Sequence, residues 1–311
     1  MRWIPPWLAK AYATIYAEKG TDVFDFSEAG IILGIRDERP LAKTLARLKR
    51  LGHLTVRRDP VDPRRKLFRL IDPRSVTLAL AIQSRAESSD LLEKLRAASG
   101  VLDYYVNGAY AAYQYHRYSA PGSVDVSVKA EQLPIWIALL SEKEVAISVD
   151  GVPAERPSSV NVRLHSDFQE DMLEHTKVIE RIRYLSPELL IIKGLAQDRP
   201  SLEDALAILI SQSRKLDLRR LLALSDAYNI DRYFGCVLDI LNFESRKSLF
   251  GRSLIDRIFR KSNLQVKLDF PSKLSAEPLG EHYATISSKW NLRIHLSRAV
   301  VSKIVTDLVR A

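Results

Sequence analysis

One stretch of the chain, residues 36 to 74, accounts for most of its net positive charge. It contains thirteen arginine and lysine residues and five acidic residues, a net charge of +8, whereas the whole chain of 311 residues has a formal net charge of +9. The rest of the chain is therefore close to neutral. Positive charge concentrated in this way is typical of a protein that binds a polyanion. A solvated basic face without a partner is the alternative.

Within this stretch, the residue spacing predicts a basic helix followed by a hairpin. Cations recur at intervals of four, four and three residues, so they share one helical face, and leucines occupy the opposite face. The cations are Arg39, Lys43, Arg47 and Arg50, and the leucines are Leu41, Leu45 and Leu48. We expect Gly52 to end the helix, residues 53–58 and 64–71 to form two strands, and residues 59–63 to form the turn between them.

Two helices are predicted before the basic one. Pro5 and Pro6 favour the first turn of a helix that runs to about Glu18 and ends at Gly20. Its predicted buried stripe consists of Trp7, Leu8, Ala11 and Ile15. Asp25, with Glu28 three residues later, is typical of a capping box and predicts a second helix over residues 26–33, ended by Gly34.

The segment DPVDPRRKLFRLID, residues 59–72, resembles the wing of MarR-type transcription regulators, in which an acidic-proline turn precedes paired arginines. The resemblance covers roughly the first quarter of the chain and implies a winged helix-turn-helix over residues 1–75. In that family the helix at 38–51 would enter the major groove, and the hairpin at 53–71 would contact the minor groove or phosphates. The residues implied in binding double-stranded DNA are Arg36, Arg39, Lys43, Arg47, Arg50, Arg57, Arg58, Arg64, Arg65 and Lys66. A winged helix that contacts only proteins remains an alternative.

Residues 106–128 resemble the core of the nucleotidyltransferase-like superfamily, particularly the AbiEii-type toxins. There, a glycine pair opens a helix, and a serine precedes a strand bearing Asp-x-Asp, whose carboxylates hold divalent metal against nucleotide phosphates. Gly108 stands at the phosphate-contacting glycine and Asp125 at the first carboxylate, but Ser127 replaces the second. The resemblance therefore implies a degenerate site that holds metal only weakly, through Asp125. Asp150 and Asp167 are weak substitutes for a later carboxylate of the family.

The resemblance continues in element order to about residue 225, because residues 184–206 resemble the family's SPEDLIATKL…RDLEDAL helices. Mg²⁺ and a nucleotide are the implied ligands. The residues implied in nucleotide binding are Gly108, Arg117, Ser123, Asp125 and Lys193. For each there is a structural alternative: a strand break at Gly108, a cap or ion pair at Asp125, and a Lys193–Asp204 pair.

Two further features of this region have alternative interpretations. His116 and Arg117 match a recurring pair of the family; we expect His116 to pack and Arg117 to contact a phosphate or carboxylate. The clustered tyrosines either stack on bases or belong to the core. They lie at positions 104, 105, 110, 113, 115 and 118.

After residue 128, periodicity predicts a helix at 131–141 and strands at 144–149 and 160–165. A mostly helical part is predicted from residue 215. That part would contain helices at 217–228 and 231–241, strands at 264–270 and 290–296, and a last helix after Ser297. Residues 245–261 predict a basic amphipathic helix, whose cations either face solvent or form a second nucleic-acid patch.

These features predict an α+β protein with segments 1–75, 76–99 (a connecting helix), 100–214 and 215–311. We expect a DNA-binding transcription regulator with a degenerate transferase-like domain that binds a nucleotide or a partner protein. An active nucleotidyltransferase of a toxin–antitoxin or viral-defence system is the alternative, and a purely protein-contacting module is a third. The single cysteine, Cys236, argues against a disulfide framework. With no apolar run that could span a membrane and no signal-peptide core, a cytoplasmic protein is expected. Few Asn and Gln residues hint at a thermophile.

Overall fold

The computed structural model describes residues 5–60, 62–83, 90–140, 145–151, 160–196, 199–262, 268–270, 283–294 and 296–309. The protein has a mixed α+β fold. Its chain divides into two compact units. The first unit comprises Met1–Tyr105, Val126–Glu170 and Val178–Arg183, and the second comprises Val106–Asp125, Asp171–Lys177 and Tyr184–Ala311.

Six elements form the beginning of the first unit. They are α1 (Pro6–Lys19), β1 (Val23–Asp25), α2 (Phe26–Leu33), α3 (Glu38–Arg50), β2 (Leu54–Arg58) and β3 (Lys66–Leu70). The capping box of α2 is confirmed: Asp25 Oδ1 accepts the Glu28 N–H at 2.8 Å, and Glu28 Oε2 accepts the Asp25 N–H at 2.8 Å. Gly34 ends α2 in the left-handed conformation.

The three strands form a small antiparallel sheet in the order β1-β3-β2. The buried stripes of the three helices pack together with this sheet around one core. Its buried residues are Leu8, Ile15, Phe24, Ala29, Leu41, Leu45, Leu48, Leu54, Phe68 and Leu70. Strand β1 was not predicted, because three residues are too few to show an alternating pattern.

The predicted burial of Trp7 is wrong. Leu8 and Ile15 of the stripe are fully buried, but 47% of the Trp7 surface is exposed. The guanidinium of Arg47 lies over the Trp7 ring, 5.9 Å from its centroid. A cation that packs on a tryptophan face takes the place of deeper burial.

The next ten elements are helices and strands, and their strands form one six-stranded sheet in the order β6-β7-β5-β4-β9-β8. They are α4 (Pro73–Gln83), α5 (Leu91–Ala98), β4 (Tyr104–Asn107), α6 (Gly108–His116), β5 (Ser123–Val128), α7 (Leu133–Leu140), β6 (Val145–Val149), β7 (Val160–His165), β8 (Thr176–Ile179) and β9 (Ile182–Leu185). Strands β6 and β7 run parallel from Val145↔Val160 to Val149↔Leu164, and β4 and β9 run parallel at Val106↔Tyr184. Helix α7 follows a 3₁₀ turn at Ala130–Gln132. The predicted helix at 131–141 is therefore split.

The remaining elements belong to the second unit. They are α8 (Pro187–Leu195), α9 (Leu202–Ser211), α10 (Leu218–Ala227), α11 (Asp231–Ser245), α12 (Arg252–Lys261), β10 (Leu268–Phe270), α13 (Ala284–Lys289), β11 (Leu292–Ile294) and α14 (Arg298–Val309). Helix α9 is buried on most of its surface and packs against α6, α8 and α14. Gly235 of α11 lies so close to the ring of Trp290 that a Cβ would clash with it. The predicted helices at 217–228 and 231–241 and after Ser297 are confirmed, and α11 extends four residues beyond the predicted end. The basic helix predicted over residues 245–261 is shorter, because only α12 (Arg252–Lys261) is helical and a loop precedes it.

Parts of several predictions lie outside the described residues. They are Val61 of the predicted turn, Ser141, Glu144, residues 264–267 and His295. In the described ranges, no helix has the length and apolar character that crossing a membrane requires.

Candidate functional site

The exposed face of α3 presents the cations that the spacing predicted. Arg39 and Lys43 lie one helical turn apart and are exposed, and Arg36 is exposed just before the N-cap, Asp37. Among the residues that the structure describes, none forms an ion pair or accepts a hydrogen bond from these three side chains. Arg50, at the end of α3, is also exposed. Arg36, Arg39 and Lys43 can therefore bind an external anion without losing an observed contact.

Arg47 differs from its neighbours on α3. It is half-buried, its guanidinium covers the ring of Trp7, and its Nε is buried with no hydrogen-bond partner among the described residues. Its position on the helix lies between the exposed cations and the buried leucines. Arg47 therefore supports the packing of α1 on α3, whatever its contribution to ligand binding.

The hairpin of β2 and β3 concentrates further cations near its turn. Arg57, Arg58, Arg64 and Lys66 are exposed. Arg58 and Lys66 are direct cross-strand partners, and like charges directly opposite each other destabilise a sheet. A polyanion placed beside the hairpin would remove this repulsion.

Arg65 has a different position from the other predicted DNA-binding residues. Its guanidinium forms an ion pair with Asp25, the N-cap of α2, and lies 3.9 Å from Asp59. The Glu28 backbone N–H and the Arg65 guanidinium lower the pKa of the Asp25 carboxyl. Arg65 thus ties the end of the hairpin turn to the start of α2.

The two adjacent arginines should therefore respond differently to substitution. We expect Arg64→Gln to weaken duplex binding and leave the melting temperature unchanged. Arg65→Gln should lower the melting temperature and raise the pKa of the Asp25 carboxyl, because it removes the cation that stabilises the ionised form. Calorimetry and NMR titration of Asp25 measure both effects, and equal effects of the two variants on stability would refute the distinction.

Two of the predicted nucleotide-site residues, Gly108 and Asp125, lie in direct contact in the second unit. Gly108 is the first residue of α6 and has a φ of +62°. A Cβ at this position would lie 2.9 Å from Oδ2 of Asp125. Only glycine can therefore both adopt this conformation and leave room for the carboxylate.

The position of Asp125 has an electrostatic consequence for phosphate binding. Its side chain is buried, with 3% of the residue exposed, and its carboxylate lies beside the N-terminus of α6. A negative charge at a helix N-terminus is stabilising, so the carboxylate takes the favourable position that a phosphate would otherwise occupy. A phosphate brought to Gly108 would be repelled unless a cation came with it.

Ser127, the residue at the second carboxylate position, is buried in the first unit and forms a hydrogen bond there. It is fully buried, and its hydroxyl donates to Oδ1 of Asp167 at 2.7 Å. From the sequence, Asp167 was predicted to be a weak substitute for a later carboxylate of the family. In the structure its carboxylate lies beside Ser127. Asp150 instead accepts hydrogen bonds from the backbone and hydroxyl of Ser166.

His116 packs as expected and is held on both sides of its ring. The Tyr118 N–H donates to Nδ1 at 2.8 Å, and Nε2 lies 3.2 Å from Oδ1 of Asp204. Since Nδ1 is the acceptor, Nε2 is the donor to Asp204. Asp204 also closes the capping box of α9 with Ser201. This histidine therefore joins α6 to the start of α9.

The other implied nucleotide ligands lie at separate places in the second unit. Arg117 is exposed, with its guanidinium 5.1 Å from the centroid of the Tyr113 ring and a hydrogen bond to Gln114. Ser123 is half-buried at the start of β5, and Lys193 is half-buried near the end of α8. Contact of Arg117 with a phosphate or carboxylate stays a prediction.

The tyrosines of this region serve mainly to pack and to bond the backbone. Tyr104 donates its hydroxyl hydrogen to the Leu95 carbonyl, and Tyr115 donates to the Leu185 carbonyl. Burial raises the pKa of Tyr104 to about 12 and raises the pKa of Tyr115 as well. Tyr118 is half-buried and donates to Asp307. The core alternative therefore holds for Tyr104 and Tyr115, and base stacking by Tyr118 stays a prediction.

The carboxylates of this region do not provide a metal site of the family's kind. Ser127 contributes a hydroxyl that is already bonded to Asp167. Within the described part of the chain, no group of three or more His, Cys, Asp or Glu side chains could hold a metal ion. Mg²⁺ therefore does not fit the residues present, and no catalytic step follows from them.

The contact between Gly108 and Asp125 can be measured by a double-mutant cycle. Gly108→Ala should destabilise the protein by about 2 kcal/mol or more, from the left-handed φ and the clash. In an Asp125→Ala background the contacts with Oδ2 and Cγ are absent and only a 3.3 Å approach to the Cβ remains, so the cost should fall by about 1 kcal/mol and consist mainly of backbone strain. Chemical denaturation of the four proteins gives the coupling, and a zero coupling energy would contradict the geometry.

The sequence did not predict several contacts that organise these residues. Lys129 bonds Glu170 at 2.8 Å and Asp103 at 3.0 Å, and these contacts raise its pKa. Its ammonium also lies 5.6 Å from the centroid of the Phe168 ring. These partners are separated by long stretches of chain and carry no motif that could have identified them.

Comparisons with known proteins leave the family of the chain open. No protein-family model matches it, and no curated protein sequence matches it. Among solved structures, the crystal structure of the RV2827C protein from Mycobacterium tuberculosis is similar, with a TM-score of 0.40 and 15% identity over 100% of this chain and 97% of that chain. A likeness this distant assigns neither a fold family nor a function.

Proposed function

We propose that the protein is a transcription regulator whose N-terminal segment is a winged helix-turn-helix that binds double-stranded DNA. The element order α1-β1-α2-α3-β2-β3, with a basic third helix followed by a basic hairpin, is the order that such a domain requires. In this proposal α3 enters the major groove and the hairpin contacts the adjacent backbone. The proposed DNA-binding domain comprises residues 1–75 of the chain.

The observation that carries the proposal is the placement of the cations. Arg36, Arg39 and Lys43 have no described partner, and Arg58 faces Lys66 across the hairpin. Neither arrangement stabilises the folded chain, and the cross-strand pair costs stability. On a surface that only faces solvent, a mixture of positive and negative charges would be more stable than cations alone. A phosphate backbone, by contrast, interacts favourably with all five of these cations.

For the second domain, we propose a degenerate nucleotidyltransferase-like fold that binds a nucleotide or a partner protein. The contact of Asp125 with Gly108 and the bond of Ser127 to Asp167 support a structural role for these residues. They count against the alternative of an active transferase. The buried thiol of Cys236 fits a cytoplasmic protein.

Arg58→Gln tests the proposal, because its effects on binding and stability should be opposite. Removing Arg58 relieves the repulsion with Lys66, so stability should rise, by at most about 0.5 kcal/mol. Duplex affinity should fall, and the slope of log affinity against log salt should become shallower by about 0.9 if one phosphate contact is lost. Fluorescence anisotropy with a labelled duplex and thermal unfolding give the two measurements.

Ser253→Gln is the control for the added glutamine side chain, because it lies at an exposed position of α12 and changes no charge. It should alter neither property. If the native protein binds duplex DNA with an affinity that salt does not change, the proposed phosphate contacts do not exist. If Arg58→Gln raises stability without weakening binding, the hairpin is not part of the interface.

A further inference from the structure

The basic surface of α3 also carries a carboxylate. Glu38 is the first residue of the helix, and its side chain is exposed. In the part of the chain that the structure describes, no residue forms an ion pair with this carboxylate or donates a hydrogen bond to it. The cations Arg36 and Arg39 stand close to it in sequence and do not pair with it. The negative charge of Glu38 is therefore not used in a contact within the described protein.

The start of α3 already has the acidic residue that a helix start favours. Asp37 is the N-cap, and its Oδ1 accepts the Arg39 N–H at 3.0 Å. Its carboxylate supplies both the capping bond and a negative charge at the positive end of the helix dipole. A second carboxylate there repels the phosphates of DNA and so lowers the affinity of the surface. Selection between DNA sequences, rather than affinity, explains an exposed acidic residue at this position.

The exposed side of α3 has two rows of residues at the four-residue spacing that aligns side chains along a helix. The first row contains two small residues, which are both exposed, whereas the second consists of cations. The first row is Glu38, Ala42, Ala46 and Arg50, and the second is Arg39, Lys43 and Arg47.

Glu38 stands at the N-terminal end of the row with the small side chains. Because Ala42 and Ala46 extend only a methyl group from the backbone, the helix can lie closer to the floor of a groove along this row. The N-terminal residues of a recognition helix are those that contact base edges. Glu38 is therefore placed where a side chain in the major groove would meet a base rather than the sugar–phosphate backbone.

The chemistry of a carboxylate decides which base it can bind. An ionised carboxylate only accepts hydrogen bonds. In the major groove, guanine presents two acceptors and thymine presents an acceptor and a methyl group. Adenine presents a donor beside an acceptor, and cytosine presents the N4 amino group as a donor. Cytosine is thus the base whose edge matches a carboxylate, and guanine is the base that it repels most.

We infer that Glu38 is a specificity-determining residue that accepts a hydrogen bond from N4 of a cytosine in the major groove. The inference rests on the proposed duplex binding and adds the base pair that α3 prefers at one position. The neighbouring cations fix the position of the helix on the phosphates, and Glu38 excludes sequences that lack the cytosine.

The test determines the base preference of the full chain and of three variants. Glu38→Gln keeps the length of the side chain and replaces the carboxylate by an amide, and Glu38→Ala removes the polar group. Glu18→Gln is the control, because Glu18 is exposed on α1 and its replacement changes the net charge equally. Each protein selects duplexes from a random library, and the bound duplexes are sequenced. Fluorescence anisotropy then compares four duplexes that differ only at the selected base pair.

We expect the native protein and Glu18→Gln to prefer cytosine at one position by about tenfold over the other bases. Glu38→Gln should change this preference to adenine, because an amide pairs with N6 and N7 of adenine. Glu38→Ala should lose the preference at this position alone and should bind the duplexes without the cytosine more tightly than the native protein does, since a repulsion with the phosphates is removed.

The outcomes separate this inference from the proposed function. If all four proteins bind duplex DNA and select the same sequences, Glu38 does not read a base, although duplex binding stands. If thermal unfolding shows a lower melting temperature in the Glu38 variants and their base preference is native, Glu38 serves only the helix start. An equal change of preference in Glu18→Gln would make the effect one of net charge. If the native protein binds no duplex, the proposed function fails together with the inference.

Discussion

Replacing Arg36, Arg39 and Lys43 together by glutamine should reduce the affinity for duplex DNA between about a hundredfold and a thousandfold. Each side chain is exposed on or just before α3, and no described residue pairs with it. The loss should therefore come from contacts with DNA rather than from damage to the fold. The slope of log affinity against log salt should also become shallower, by about 0.9 for each phosphate contact removed.

A matched triple variant separates specific contacts from net charge. Arg257, Arg260 and Lys303 are exposed in the second unit, and their replacement by glutamine removes the same three charges. We expect this control to retain nearly all of the affinity at moderate salt, because none of its three residues belongs to the proposed DNA-binding domain. Similar losses in the two triple variants would mean that binding depends on overall charge, and the proposed role of α3 would then fail.

The sequence predicted best those elements whose signals are local. The capping box of Asp25 and Glu28, with Gly34 beyond it, defined both ends of α2 correctly. The leucines of α3 recur at helical spacing, and all three are buried. These signals act within a few residues, so they do not depend on how the rest of the chain folds.

Features that depend on distant residues were missed or predicted wrongly. Trp7 belongs to an apolar stripe by its spacing, but its environment is set by Arg47, forty residues away. Arg65 has the same side chain as Arg64, and only the ion pair with Asp25 distinguishes them. Strand β1 exists because β3 pairs with it.

The candidate site of the second unit shows the same limit in its chemistry. The resemblance assigned Gly108 and Asp125 to one nucleotide site, which stays a prediction, and the structure brings the two residues into contact. Spacing along the chain could not show that the carboxylate would lie against the helix start.

Ser127→Asp should make the stability of the protein depend on divalent cations. Ser127 is buried, and its hydroxyl lies 2.7 Å from the Asp167 carboxylate. An aspartate there would place two carboxylates together, and the repulsion and desolvation should cost about 2 kcal/mol at neutral pH without metal. A divalent cation bridging them would restore about 2.7 kcal/mol at a concentration a hundred times its Kd.

Ser127→Asn is the matched control, because its amide can still donate to Asp167 and adds no charge. It should show no stabilisation by Mg²⁺, Mn²⁺ or Ca²⁺ in thermal or chemical unfolding. Lowering the pH should partly rescue the aspartate variant, since the carboxylate pair, with its raised pKa, then binds a proton. If the cations stabilise neither variant, residue 127 does not face Asp167 as the structure places it. If they stabilise the aspartate variant alone, the serine at this position is the reason that the native chain lacks a carboxylate pair for metal.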